Sequence, residues 1–292
     1  MVELNKKEII EYKAKRLKPS ELRKLWLSRI FIWVIIVMIL FPLVAVIAAS
    51  LAKGQAFSQA GRIFPKEITF DNYINVIKQT DFLIWVKNSL FLCVSVSLIQ
   101  LVITAPASFA FSRLKFWGRR KGLMSLLILQ MFPQVMALPS ILALAFKLGF
   151  MDHLGALVIL MCGGSAYNIW LLKGFMDGIP KELDEAAYVD GASTFQTFIK
   201  IVLPLTKSML VVIFIFAFIG TYGEFILTSA LMKDSSVQTV ATGLQQFVNN
   251  KFSTNWTEFS AAAVMASLPI MIVFSLSQKF IAKGLVAGAV KG

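Results

Sequence analysis

Six long blocks of apolar residues, separated by short polar stretches, constrain this chain more than any other feature. They run over about 30–51, 88–111, 122–146, 154–172, 208–232 and 259–278. A bilayer core needs about 20 apolar residues per helix, and each block meets that length. Hydrocarbon offers the backbone no hydrogen-bond partner, so each block must be helical. Strands of a membrane barrel alternate in polarity, and these blocks do not. The expected fold class is therefore all-α: a polytopic membrane protein with six transmembrane helices. Composition agrees, with 57% hydrophobic and 15% charged residues, against about 25% charged in soluble domains.

The formal charge of +13 sits beside the apolar blocks rather than on one polar surface. It points to membrane topology and not to nucleic acid, which is not expected as a partner. With the N-terminus inside, the inner segments 1–29, 112–121, 173–207 and 279–292 hold 21 Lys and Arg in 88 positions. The outer segments, 52–87, 147–153 and 233–258, hold 8 in 69. Both termini are therefore expected in the cytoplasm. The run Arg113 to Lys121 has five cations and no acid, and reads as a topology anchor. The expected organisation is a basic N-terminal segment (1–29), a transmembrane domain (30–282) and a C-terminal tail (283–292). The first block reads as a retained span, with a signal peptide ending near Ala48-Ala49-Ser50 as the minor alternative.

Several residues break the apolar pattern. Pro42, Pro106, Pro133, Pro139, Pro269 and the pair Gly163-Gly164 lie inside blocks, where proline removes a backbone donor and bends a helix. Gln100, Gln130 and Gln134 are polar at depth; they either bond another helix or line a path. Glu224 is the one ionisable residue within a span. It is either a functional site or a paired, hydrated group near the outer interface. Cys93 and Cys162 read as buried small hydrophobes, and His153 as an interfacial residue that cannot make a metal site alone.

The inner stretch 173–207 is patterned. Pro180 suits the first turn of a helix, and Glu182, Asp184 and Glu185 then favour its positive end. Gly191 fits a left-handed helix C-terminus. Ser193 with Gln196 reads as a capping box opening a second helix, which Pro204 ends. The expected product is a helix–turn–helix on the cytoplasmic face, with acids and exposed apolar residues side by side.

Glu185-Ala186-Ala187, three residues, Gly191, nine residues, then Ile201, one residue and Leu203-Pro204 resemble the EAA loop of ABC importer permeases. A further proline common in that family is replaced by Ser208 here. The last span and tail, from Ala261 to Gly292, and Val240 to Phe247 resemble permeases of the maltose/maltodextrin type. The resemblance implies that the loop seats in a cleft of a separate ATPase subunit. There Glu185 pairs with a basic residue, Ala186 and Ala187 permit close approach and Gly191 makes the turn between the two helices, with Asp190, Ile201, Leu203 and Pro204 in the same ATPase-coupling segment. It also implies that Asn249, Asn250, Phe252 and Trp256 belong to an outer loop that reaches a sugar-binding protein, and that the tail from Lys283 inserts among the ATPase subunits. The implied partners are a second permease, two ATP-binding cassette ATPases, an extracytoplasmic sugar-binding protein and membrane lipid, in a bacterial or archaeal cell membrane.

No phosphate-binding G-x-x-x-x-G-K-[ST] occurs, so this chain is not expected to be the ATPase; the resemblance implies ATP and Mg on the partner ATPase subunits and no cofactor on this chain. One histidine supports no catalytic triad, so the chain is expected to move a substrate rather than transform it. The resemblance implies maltose and malto-oligosaccharides as the cargo. The alternatives are another oligosaccharide, or an ion-coupled secondary transporter, which would want repeats or several buried charges. A membrane scaffold is a third class, and would not need the EAA pattern.

Overall fold

The structure is a computed structural model that describes residues 19–54, 65–249 and 255–289. The side chains of Arg120, Gln134, Asn249 and 281–289 lie outside that description. Among the described residues there are helices and no strands; Ala52 and Ile68 form one isolated bridge. In chain order, α1 (Pro19–Ser50) is followed by the short α2 (Asp71–Gln79) and the long α3 (Phe82–Arg113). The third block holds α4 (Arg119–Gln130) and α5 (Gln134–Leu148), and the fourth α6 (Leu154–Met161) and α7 (Ala166–Asp177). The patterned loop gives α8 (Glu182–Val189) and α9 (Thr194–Leu205). The fifth block holds α10 (Lys207–Tyr222) and α11 (Ile226–Leu231), and short α12 (Val240–Leu244) and α13 (Gln246–Asn249) lead to α14 (Trp256–Ala289).

Three helices, α1, α3 and α14, are long and apolar enough to cross a membrane unbroken. The other three expected spans are each interrupted rather than one continuous helix. α4 and α5 meet at 91°, where Pro133 cannot continue a helix and leaves three residues outside both. α6 and α7 bend by 51° around Gly163-Gly164. The fifth block stops at Tyr222 and resumes at Ile226. Among the described residues, helix is continuous across both expected segment boundaries, α1 across 29–30 and α14 across 282–283.

α3 is the centre of the bundle and packs against α10, α7 and α6. Its buried Ser97, Thr104, Ser108 and Ser112 are small, so neighbouring backbones can approach closely. In lipid that packing, rather than the hydrophobic effect, holds helices together. Ser108 Oγ donates to the Ile169 carbonyl at 3.0 Å. On α14, Ala261 and Ala262 are fully buried, and Tyr222 Oη donates to the Ala266 carbonyl at 2.7 Å, near the proline at 269. The surface is inverted relative to a soluble protein. α1 packs along α14 and exposes large apolar side chains from Leu22 to Ile47, a surface fit for lipid or another membrane subunit.

The helix ends near Ser50 and Asn72 are tied by polar side chains. Asn72 Nδ2 donates to the Ser50 and Ala52 carbonyls, both at 2.9 Å, and Ser50 Oγ lies 2.6 Å from Tyr73 Oη. Ala48, Ala49 and Ser50 are buried in this knot.

Candidate coupling site

α8 and α9 stand at the basic end of the bundle, and their local chemistry follows the sequence closely. Glu182, Asp184 and Glu185 occupy the first turn of α8. Pro180 lies two residues before that helix, not in its first turn. At the other end Gly191 has φ +80°. Its N–H donates to the Tyr188 carbonyl at 3.1 Å, and the Ala192 N–H to Ala187 at 2.9 Å. This is a left-handed helix stop that glycine enters at least cost. Ser193 and Gln196 form the expected capping box: the Ser193 N–H donates to Gln196 Oε1 at 2.8 Å, and the Gln196 N–H to Ser193 Oγ at 3.3 Å.

α9 is wound in a wide, i to i+5 form over Phe198–Val202, and the Leu203 N–H reaches back to the Phe198 carbonyl. Pro204 follows directly. It has no N–H for the preceding turn and its ring crowds that turn, so a widened turn accommodates it. The helix ends at Leu205 and α10 leaves at 77°. Ile201 and Leu203 are half-buried, and Val202 is fully buried against α3 and α7 residues.

One face of this elbow is fastened to the bundle and the other is free. Glu185, Ala186, Asp190 and Gly191 are exposed, while Ala187 is buried. Leu183, Tyr188, Val189 and Phe195 are exposed beside them, Val189 at 87% and Phe195 at 70%. On the fastened face, Asp184 meets Arg113, the last residue of α3. Arg113 Nε lies 2.6 Å from Asp184 Oδ2, with side chains only 5% and 7% exposed. Arg113 Nη2 donates to the Ile179 carbonyl at 2.9 Å. The Nε–H is not aimed at the carboxylate, so Nε, Nη1 and Asp184 Oδ1 make no hydrogen bond. The pair is an ion pair by distance. Around it, Ser112 Oγ donates to Asp177 Oδ1 at 2.7 Å, Lys173 pairs with the other oxygen of Asp177, and Arg119 donates to the Phe111 and Ser112 carbonyls at 2.9 and 2.8 Å.

The Arg113–Asp184 pair was not legible as a functional feature. Arg113 read as an anchor, and Asp184 as one more acid at a helix N-terminus. The available signal was spacing: Asp184 and Ala187 are three apart and share a face, so a buried Ala187 places Asp184 inward too.

The residues within the spans are placed as follows. Gln130 bonds across to the break in the fourth block: its Nε2 donates to the Gly164 carbonyl at 2.8 Å, and its Oε1 accepts from the Tyr167 N–H at 2.9 Å. Gln100 Nε2 donates to the Met161 carbonyl at 3.3 Å, and its Oε1 accepts from Asn168 Nδ2 at 3.0 Å. Both glutamines satisfy backbone groups freed by the bend. The side chain of Gln134 lies outside the described residues. Glu224 is half-buried and caps α11. Its carboxylate accepts from the Leu227 N–H at 2.7 Å, the Thr228 N–H at 2.9 Å and the Thr228 hydroxyl at 2.6 Å. A carboxylate at the positive end of a helix is stabilised there. His153 likewise caps α6, its Nδ1 accepting from the Ala156 N–H at 3.3 Å.

At the opposite end, Asn250 and Phe252 lie outside the described residues, and Asn249 is described only as the last residue of α13. Trp256 is half-buried at the start of α14 and packs edge-on to Phe259, with centroids 6.0 Å apart. It is not the exposed tip that its loop position suggested, because Asn255 Oδ1 caps the helix by accepting from the Glu258 N–H at 3.1 Å. Nearby, Gly243 lies directly on the buried ring of Trp85: a Cβ there would stand 2.1 Å from the indole. Among the described residues, no group of His, Cys, Asp and Glu could hold a metal ion.

Residues 20–286 match the family described as the inner membrane component of binding-protein-dependent transport systems. The chain belongs to that family. The maltodextrin transport system permease protein MdxG of Bacillus subtilis is 37% identical over 265 residues, covering 90% of this chain and 95% of the relative. The maltose/maltodextrin permease protein MalG of Escherichia coli K12 is 34% identical over 293 residues, covering 94% and 98%. A solved bacterial ABC transporter involved in import of the acidic polysaccharide alginate has a chain of the same fold. Its TM-score is 0.78 at 22% identity, over 91% of this chain and 99% of that one. The chain is thus a multi-pass inner-membrane transport component and not an enzyme.

Proposed function

We propose that the chain is one of two permease subunits in an ABC importer for maltose and malto-oligosaccharides. The observation that carries the cargo is near full-length similarity to maltodextrin permeases at 34–37% identity. The second permease completes the path. Two ATPase subunits bind ATP with Mg, and an extracytoplasmic binding protein delivers the sugar. The basic end, with both termini, faces the cytoplasm, in keeping with its density of Lys and Arg.

The coupling loop transmits ATPase closure to the spans. Its free face offers Glu185, the small Ala186 and exposed apolar side chains to a protein cleft. Its fastened face is held to α3 through Arg113 and Asp184, and continues into α10. A push on α8 therefore reaches two spans through packed, ion-paired contacts. Among the expected pathway residues, Glu224, Gln130 and Gln100 serve as structural caps of broken helices, which keeps the interrupted spans rigid.

The cargo is tested with the purified complex and its binding protein. Maltotriose or longer maltodextrins are expected to raise ATPase activity severalfold over the sugar-free complex. Stimulation by a different oligosaccharide, with none by any maltodextrin, would overturn the cargo and leave the permease assignment standing.

A further inference from the structure

At the basic end the short turn after α3 and the start of α4 form, with α7, an open cleft of about 1100 Å³. Three of its lining residues are cations, Arg119, Lys121 and Lys173, and three are aromatic, Phe116, Trp117 and Trp170. No acid lines it. Asp177, one turn beyond Lys173, is already engaged by Lys173 and by Ser112. Trp117 is 100% exposed and Phe116 44%. An indole fully exposed at the end of membrane-spanning helices is at home in the headgroup region of a bilayer, where tryptophan collects. The first turn of α4 also contains no acid, so its cations oppose the helix dipole, a cost that an anion relieves.

We infer that this cleft binds the headgroup of an anionic phospholipid from the leaflet that meets the basic end. Basic pockets between spans on the cytoplasmic side are suited to acidic headgroups, and the aromatic rim provides the boundary between headgroup and acyl chain. The phosphate and its negative charge sit against Lys121 and Arg119. Arg119 is pinned by the Phe111 and Ser112 carbonyls, so it offers a fixed rather than a roaming charge. This site lies beside the coupling elbow, since Lys173 and Ser112 share Asp177. The inference rests on the membrane fold and is independent of the sugar carried.

The test uses the full complex in nanodiscs containing brominated lipid, which quenches tryptophan on contact. The Trp117 signal is obtained by subtracting the Trp117→Phe complex. Brominated phosphatidylglycerol is expected to half-quench Trp117 at about fivefold lower mole fraction than brominated phosphatidylcholine, the preference that one cation near a membrane surface supplies. Lys121→Gln should bring the two lipids within about twofold, and Lys121→Arg should keep the preference. Equal quenching by both lipids in the unsubstituted complex would overturn the site, as ordinary annular contact. Loss of the preference in millimolar inorganic phosphate would assign the cleft to a free anion and overturn the lipid.

Discussion

Asp184→Ala should lower the stability of the chain by about 3–5 kcal/mol, because it strands a buried guanidinium. Arg113 is 5% exposed and keeps only its bond to the Ile179 carbonyl. Arg113→Ala strands the carboxylate instead and should cost a similar amount. Replacing both, with Arg113→Met and Asp184→Leu, removes the desolvation cost along with the attraction and should recover most of the loss. Glu185→Ala is the contrast. Glu185 is exposed, so the isolated chain should denature at an unchanged temperature, while sugar-stimulated ATPase activity of the complex falls. Thermal denaturation in detergent and ATPase assays on the complex read both quantities. A drop of under about 1 kcal/mol for Asp184→Ala would mean that the elbow is held by packing alone, as for an exposed pair.

Gly243→Ala is expected to have the second largest effect. Its new Cβ would fall within 2.1–2.5 Å of three atoms of the Trp85 indole. Trp85 cannot step aside: it is 1% exposed and wedged edge-on between Phe82 and Phe247, each 6.3 Å away. Nor can α12 yield cheaply, since the Val240 N–H is tied to Ser89 Oγ at 2.9 Å and Thr239 caps the helix. Overpacking of this kind costs about 1–3 kcal/mol or more. The segment from Val240 to Asn249 should become sensitive to protease, and Trp85→Leu in the same chain should partly restore protection. Wild-type resistance of Gly243→Ala would contradict the close approach.

Local chemistry was read correctly where it is self-contained. The Ser193–Gln196 box, the left-handed Gly191 and the acids opening α8 each involve residues within one turn. The pattern of apolar blocks likewise gave an all-helical membrane fold. What failed was continuity. Pro133 and Gly163-Gly164 are visible as weak points, but neither the 91° nor the 51° angle is written locally, and the gap at the 51° bend is filled by Gln130 and Gln100 from other spans. From sequence Glu224 is either a functional site or a paired carboxylate, and its partners lie just downstream, at the start of α11. Arg113 with Asp184, and Trp85 with Gly243, are contacts between distant parts of the chain. No local periodicity encodes them.

The most direct measurement of the coupling role is labelling of Val189→Cys with a membrane-impermeant maleimide. Val189 is 87% exposed on the free face of α8, and Cys93 and Cys162 are buried. A cytoplasmic loop seated in an ATPase predicts labelling in inside-out vesicles, none in right-side-out vesicles, and protection when the ATPase subunits are bound. Labelling from the outside, or equal labelling with and without the ATPase, would contradict it.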